Sequence, residues 1–223
     1  MAVSNNQTNH DLTYRWIRLG AICGPLAILT YAVLILVPLP NFWGMLLVSA
    51  FGPLLGLASV GLYHFMALAR KTMTLQIAVA ANIIAIAIVT TMLIVQMSLN
   101  IRMERAIAKV SDPSVIESLK AIWRGVDSVQ LGMDVAWDVF GVLGALLFAI
   151  NMLWHPRLGK IIGMLGIVLA LGLFVFNIYT FPTPPAEANL LDLGPLVALW
   201  YVVVSIMILF SLGWARKRLA ETD

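Results

Sequence analysis

Apolar residues in this chain neither alternate nor mark a single helical face; they run on in long blocks interrupted by short polar breaks. Six blocks stand at approximately 17–37, 44–67, 75–99, 131–153, 161–181 and 194–213. A helix rising 1.5 Å per residue needs about 20 residues to cross roughly 30 Å of hydrocarbon, so each block predicts a membrane-spanning helix. The breaks carry turn chemistry: "VPLPNFW" after the first block, "ARKTMT" after the second, "HPRLGK" after the fourth and "FPTPPAEANLLDLGP" after the fifth. Prolines there cannot continue a helix, and Phe42 and Trp43 suit a membrane–water interface. The resulting expectation is an all-α, polytopic six-helix bundle over residues 17–215, with a loose polar tail at 1–16 and a short tail at 216–223.

One break is long. "IRMERAIAKVSDPSVIESLKAIWRGVDSVQ" separates the third and fourth blocks. Asp112 before Pro113 reads as an N-cap followed by a first helical residue. Val115, Ile116, Leu119, Ile122 and Trp123 then recur at helical spacing. Residues 102–128 are therefore predicted to form a helical hairpin that projects from the membrane or an amphipathic helix that lies on its surface.

Composition settles the solvent. Of 223 residues, 61% are hydrophobic and 11% charged, with mean hydropathy +0.94, whereas a soluble domain carries about 25% charged residues. A soluble core cannot hide that apolar surface. The net charge of +3 acts first as a topology signal and does not point to nucleic acid. With a cytoplasmic N-terminus, the inner segments hold Arg15, Arg18, Arg70, Lys71, Arg157, Lys160, Arg216, Lys217 and Arg218. The outer side holds Arg102, Arg105, Lys109, Lys120 and Arg124, all in the long segment. That bias predicts both termini inside. Residues 1–14 contain no Lys or Arg, which speaks against a cleaved leader. The single cysteine, Cys23, excludes an intrachain disulfide and reads as a small packing residue.

Against this background the segment "QLGMDVAWDVFGVLGALLFAINMLW" stands out, because Asp134 and Asp138 enter an otherwise apolar helix. From Val139 to Trp154 a helix rises about 24 Å, short of roughly 30 Å, which puts Asp138 inside the outer margin of the apolar zone. At 100° per residue Asp127, Asp134 and Asp138 share a stripe about 40° wide, continued by Gly141 and Ala145. Small residues below carboxylates suggest a face turned toward other helices. The third block has a comparable stripe of Asn82, Gln96 and Asn100, and Asn177 lies near the outer end of the fifth. The expected site is thus an outward-open polar pocket lined by Asp134, Asp138, Gln96, Asn100 and Asn177. An ionisable group within a span is by default a functional hypothesis. Two carboxylates one turn apart suit a shared proton, a cation or an amine. The structural alternative is that these aspartates bond to Gln96, Asn100 or a tryptophan N–H and fix helix packing.

Other signals are weaker. His64, alone near the inner face, reads as structural, and His155 as a turn residue. Gly20 and Gly24, Gly52 and Gly56, and Gly159 and Gly163 are small-xxx-small pairs that argue helix contact. No metalloprotease, phosphate-loop, nucleophile-elbow or zinc pattern occurs, so no catalytic residue, metal ligand or cofactor is assigned and the chain leans away from an enzyme. The segments "AWDVFGVLGALLF", "HPRLGKIIGMLGIVL", "FNIYTFPTPPAEA" and "DLGPLVALWY" resemble a family of small bacterial six-helix membrane proteins with a domain of unknown function. The likeness covers about residue 130 to the end, and the first half matches in helix count alone. It implies a bacterial cytoplasmic membrane and carries no activity across. The functional expectation is binding or sensing of a small cation, amine or lipid headgroup. A non-catalytic accessory subunit of a larger membrane complex is the alternative, with lipids, a membrane-protein partner or a second copy as partners.

Overall fold

The long apolar blocks become long helices. In a computed structural model, which describes residues 2–221, with side chains from residue 9, the order is α1 (Ala2–Leu36), α2 (Asn41–Ala67), α3 (Met73–Ile107), α4 (Pro113–Met152), α5 (Gly159–Thr180), α6 (Gly194–Phe210) and α7 (Leu212–Ala220). No strand occurs among the described residues. Five helices are long and apolar enough to cross a membrane, or six if α6 and α7, bent by 55° at Ser211, count as one span. The chain is accordingly a helical, multi-pass membrane protein.

Two boundaries differ from expectation. The polar N-terminal stretch is not loose, since α1 starts at Ala2. Nothing before Gly20 breaks a helix, and Asp11 pairs with Arg15 one turn on at 2.8 Å. The sixth block stops early, because Ser211 leaves helical geometry (φ −98°, ψ 6°) and composition changes from "SIMILF" to the basic "WARKRLA". A chain leaving an apolar zone has reason to turn there, and α7 does so as a short basic helix.

Successive helices pack side by side from α1 to α6, and α6 returns to α1, which closes a ring. One end of the ring carries the first part of α1, α7 and the α2–α3 and α4–α5 turns. At the other end α3 and α4 continue past their neighbours as a hairpin. Asp112 caps α4, accepting from the Ser114 N–H at 2.8 Å, with Pro113 in the first turn. Because α4 is one unbroken helix of 40 residues, the hairpin projects and no separate surface helix forms. Ile116, Leu119, Trp123 and Val126 are half-buried along it, while Val115 and Ile122 are exposed.

Lipid tails are as apolar as leucine, so helices in a bilayer are held by close packing and interhelical hydrogen bonds. Both occur at the centre of the ring. A methyl group at Gly20 would lie 2.5 Å from the Gly61 Cα and 2.7 Å from the Leu57 carbonyl, so α1 and α2 touch backbone to backbone. Deeper in, Asn82 Nδ2 of α3 donates to Ser59 Oγ of α2 at 3.2 Å and to the Tyr201 hydroxyl of α6 at 3.1 Å. Only a glycine at position 144 of α4 leaves room for the Asn82 amide. Trp200 Nε1 donates to the Ile162 carbonyl at 3.0 Å and joins α6 to α5 across Gly166. Cys23 is buried and free, as a packing residue should be. Gly159 instead adopts φ +76° in open space, so its role is the left-handed turn before α5.

Gly61→Leu should therefore lower the midpoint of thermal unfolding in detergent, since overpacking costs about 1–3 kcal/mol and here the obstacle is backbone. Gly125→Leu, on α4 with nothing within 4 Å, should leave the midpoint equal or higher. Equal losses in the two variants would contradict the α1–α2 contact.

Candidate functional site

The carboxylates of α4 fall where α5 and the loop before α6 meet the base of the hairpin. Asp138 is 4% exposed. Asn177, three residues before the end of α5, donates from Nδ2 to Asp138 Oδ2 and fixes the carboxylate from the neighbouring helix. Asp134, one turn nearer the hairpin, is half-buried. A third carboxylate enters from the loop before α6: Asp192 is exposed, accepts from the Gly194 N–H at 2.8 Å, and lies near Asp134, Asp138 and Tyr31. The Asp192, Asp134, Asp138 series thus leads from solvent into the bundle.

Of the five residues expected to line one pocket, Asp134, Asp138 and Asn177 come together, whereas Gln96 and Asn100 belong mainly to a neighbouring cleft. That cleft, about 300 Å³, lies between α1, α2 and α3 and is walled by Tyr31, Leu34, Met97 and Leu93 as well as the two amides. Gln96 also approaches α4 nearer the hairpin. Gln130, 6% exposed and with its amide oriented by its hydrogen-bond surroundings, accepts from the Gln96 backbone N–H at 3.2 Å and donates to Asp127 Oδ1 at 3.3 Å. Tyr31 borders this cleft and lies near both Asp134 and Asp192, so the cleft and the carboxylates are neighbours. Asn82 sits deeper, in the packing network already described.

Asp134, Asp138 and Asp192 have no cationic side chain paired to them among the described residues. Nor do any three His, Cys, Asp or Glu side chains there converge to hold a metal ion. The carboxylates share a field and not a coordination sphere.

Sequence reading missed two participants. Asp192 lies in a loop of unpredictable path, so its approach to α4 is a tertiary fact. His155 looked like a turn residue and is one, yet it is 4% exposed at the opposite end of the molecule. It packs against Phe65 (4.9 Å between ring centres) and Trp214 (5.4 Å). Its Nδ1 accepts from the Arg157 N–H at 3.2 Å, which places the proton of the neutral ring on Nε2, and Nε2 has no partner at hydrogen-bonding geometry. Burial pushes the His155 imidazole down from 6.5 to about 4, with the Phe65 backbone acting weakly in the other direction.

No family model matches the chain, and no curated protein or solved structure matches it either.

Two outcomes follow from this geometry. Asp138→Asn keeps an acceptor for Asn177 and removes a buried charge, so thermal stability in detergent should match or exceed that of the parent. Asn177→Leu should lower it by about 2–3 kcal/mol, since the carboxylate loses its donor. For His155, the unfolded chain takes up a proton near pH 6.5 while the folded chain resists until about pH 4. Its contribution is thus fully present above pH 6.5 and lost as pH falls toward 4, on the order of 3 kcal/mol in all. Unfolding midpoints of the parent should fall more steeply across that window than those of His155→Phe; parallel profiles would exclude a buried neutral histidine.

Proposed function

We propose that this protein is a six-span protein of a bacterial cytoplasmic membrane, with both termini inside, that binds a small cation of the ammonium type at the outer carboxylate cluster. The supporting observation is Asp138, nearly sealed from solvent, held by Asn177 and approached through two further carboxylates without a balancing positive side chain among the described residues. A buried carboxylate without a cation is costly, and a bound cation offsets that cost. The gradation from exposed Asp192 through half-buried Asp134 to buried Asp138 favours cation entry from the hairpin side, because like charges along a low-dielectric wall focus the field. A ligand with one positive centre fits better than a divalent metal, since no set of three metal-binding side chains converges among the described residues. A lipid headgroup amine and a free amine are both of this class. Under the positive-inside arrangement the site faces outward, which suits binding or sensing of an external ligand.

Arg and Lys placement supports this orientation, because the first part of α1, the α2–α3 turn, the α4–α5 turn with the start of α5, and α7 gather at one face and carry the nine basic residues counted as inner. A second reading, an accessory subunit, is favoured by one feature of its own. The hairpin exposes Val115 (42%), Ile122 (55%) and Val129 (64%) to its surroundings, a surface suited to another membrane protein.

Binding is tested by titrating alkylammonium ions and sodium into the purified protein and following unfolding temperature and calorimetric heat. The parent should bind an ammonium ion, and Asp138→Asn should weaken that binding by at least about tenfold, as expected when one partner of a buried charge pair is lost. Equal titrations for the two proteins would refute the site. A partner that copurifies with parent and Asp138→Asn alike would favour the accessory reading instead.

A further inference from the structure

The opposite end of the molecule holds a second concavity, chemically the reverse of the first. It encloses about 410 Å³ between the end of α2, the α4–α5 turn and α7. Arg70 enters from the end of α2 and Arg218 from α7, with Trp154, Trp214 and His155 forming walls and Glu221 at the edge. Arg70 is exposed and has no acidic partner among the described residues. Arg218 reaches only Glu221, at 3.3 Å with both side chains about half exposed, a pair of little strength. Arg157, outside the cleft lining, sets a further positive charge 5.9 Å from the Trp214 ring.

An independent observation also asks for a ligand. The His155 ring is neutral with its proton on Nε2, and this buried N–H in the wall of the cleft, though near the Phe65 carbonyl, meets no acceptor at hydrogen-bonding geometry. A buried donor without an acceptor is uncommon and costs free energy until an oxygen reaches it. Guanidinium groups bind phosphoryl oxygens in a fork, and indoles settle at headgroup level. Trp154, 71% exposed, stands at the rim, beside the basic helix α7 that leaves the bundle at the 55° bend.

We propose that this cleft binds a phosphoryl oxyanion, the phosphate of an anionic phospholipid headgroup or a free phosphate. Arg70 and Arg218 carry the charge recognition, and His155 Nε2–H donates below them. Glu221 occupies Arg218 in the unliganded protein and is displaced on binding. This site lies at the other end of the bundle from the carboxylates and does not depend on the ammonium reading.

The experiment uses the full chain in nanodiscs of phosphatidylglycerol and phosphatidylcholine, about one to three, with lipid retention read by native mass spectrometry after release into detergent. A second arm titrates inorganic phosphate into the detergent-solubilised protein and follows the unfolding midpoint. The double variant Arg70→Gln/Arg218→Gln removes two exposed charges and should fold, which its midpoint without ligand verifies. Arg102→Gln/Arg105→Gln removes the same charge from the hairpin and serves as control. Retention of phosphatidylglycerol should fall about tenfold or more in the cleft variant and stay unchanged in the control, with Glu221→Gln retaining more than the parent. If instead phosphate raises the midpoint of the parent and control but not of the cleft variant, without a lipid preference, the site stands and its ligand is soluble. The proposal is overturned if neither ligand separates the cleft variant from the parent, or if the control loses as much as the cleft variant.

Discussion

A bundle that spans lipid gains little from burying one apolar side chain against another, so its architecture rests on how closely backbones can approach. Here that approach is concentrated where Gly20 meets Gly61 and where Gly144 admits the Asn82 amide. The first contact sets the spacing of α1 and α2. The second lets a single side chain bond to α2 and α6 at once and so hold opposite sides of the ring together. With the ring closed, the outer ends of α4 and α5 are brought into register, and Asn177 reaches Asp138.

The two ends of this ring carry opposite electrostatic characters. At the hairpin end carboxylates grade inward from Asp192 to Asp138 without a paired cation among the described residues. At the terminal end Arg70, Arg157 and Arg218 gather around two tryptophans and a buried histidine. A helical bundle that separates its charges in this way is polarised along the direction in which it crosses a membrane. In the proposed orientation the positive end is the one that meets anionic lipid, in the same sense as the basic loops.

Much of this was legible in the order of residues because lipid imposes a one-dimensional rule: a span must be apolar for about 20 residues. The long apolar helices, the Asp112–Pro113 helix start and the inward stripe of Asp134 and Asp138 all depend on local spacing, and local spacing is what a sequence displays. The helix at the N-terminal end is not legible because its Ser, Asn, Thr and Asp residues are weak helix formers, although no proline or glycine interrupts it. The grouping of Gln96 and Asn100 with Asp138 failed in part because helical angle within α3 says nothing about which neighbour each side chain faces. Asp192 and His155 were invisible for a related reason. Both sit in connecting segments whose course depends on packing between helices distant in sequence.

The unbroken run of α4 from Pro113 to Met152 has a mechanical consequence. The same helix that holds Asp138 within the bundle extends from it as a stiff arm, braced by α3 packed along it, where the Gln130 side chain meets the Gln96 backbone. From Asp138 to Pro113 this arm is about 37 Å long, against about 21 Å from Asp138 down to Met152. The geometry is that of a lever with its fulcrum close to the carboxylates. A load at the hairpin tip is delivered there as torque.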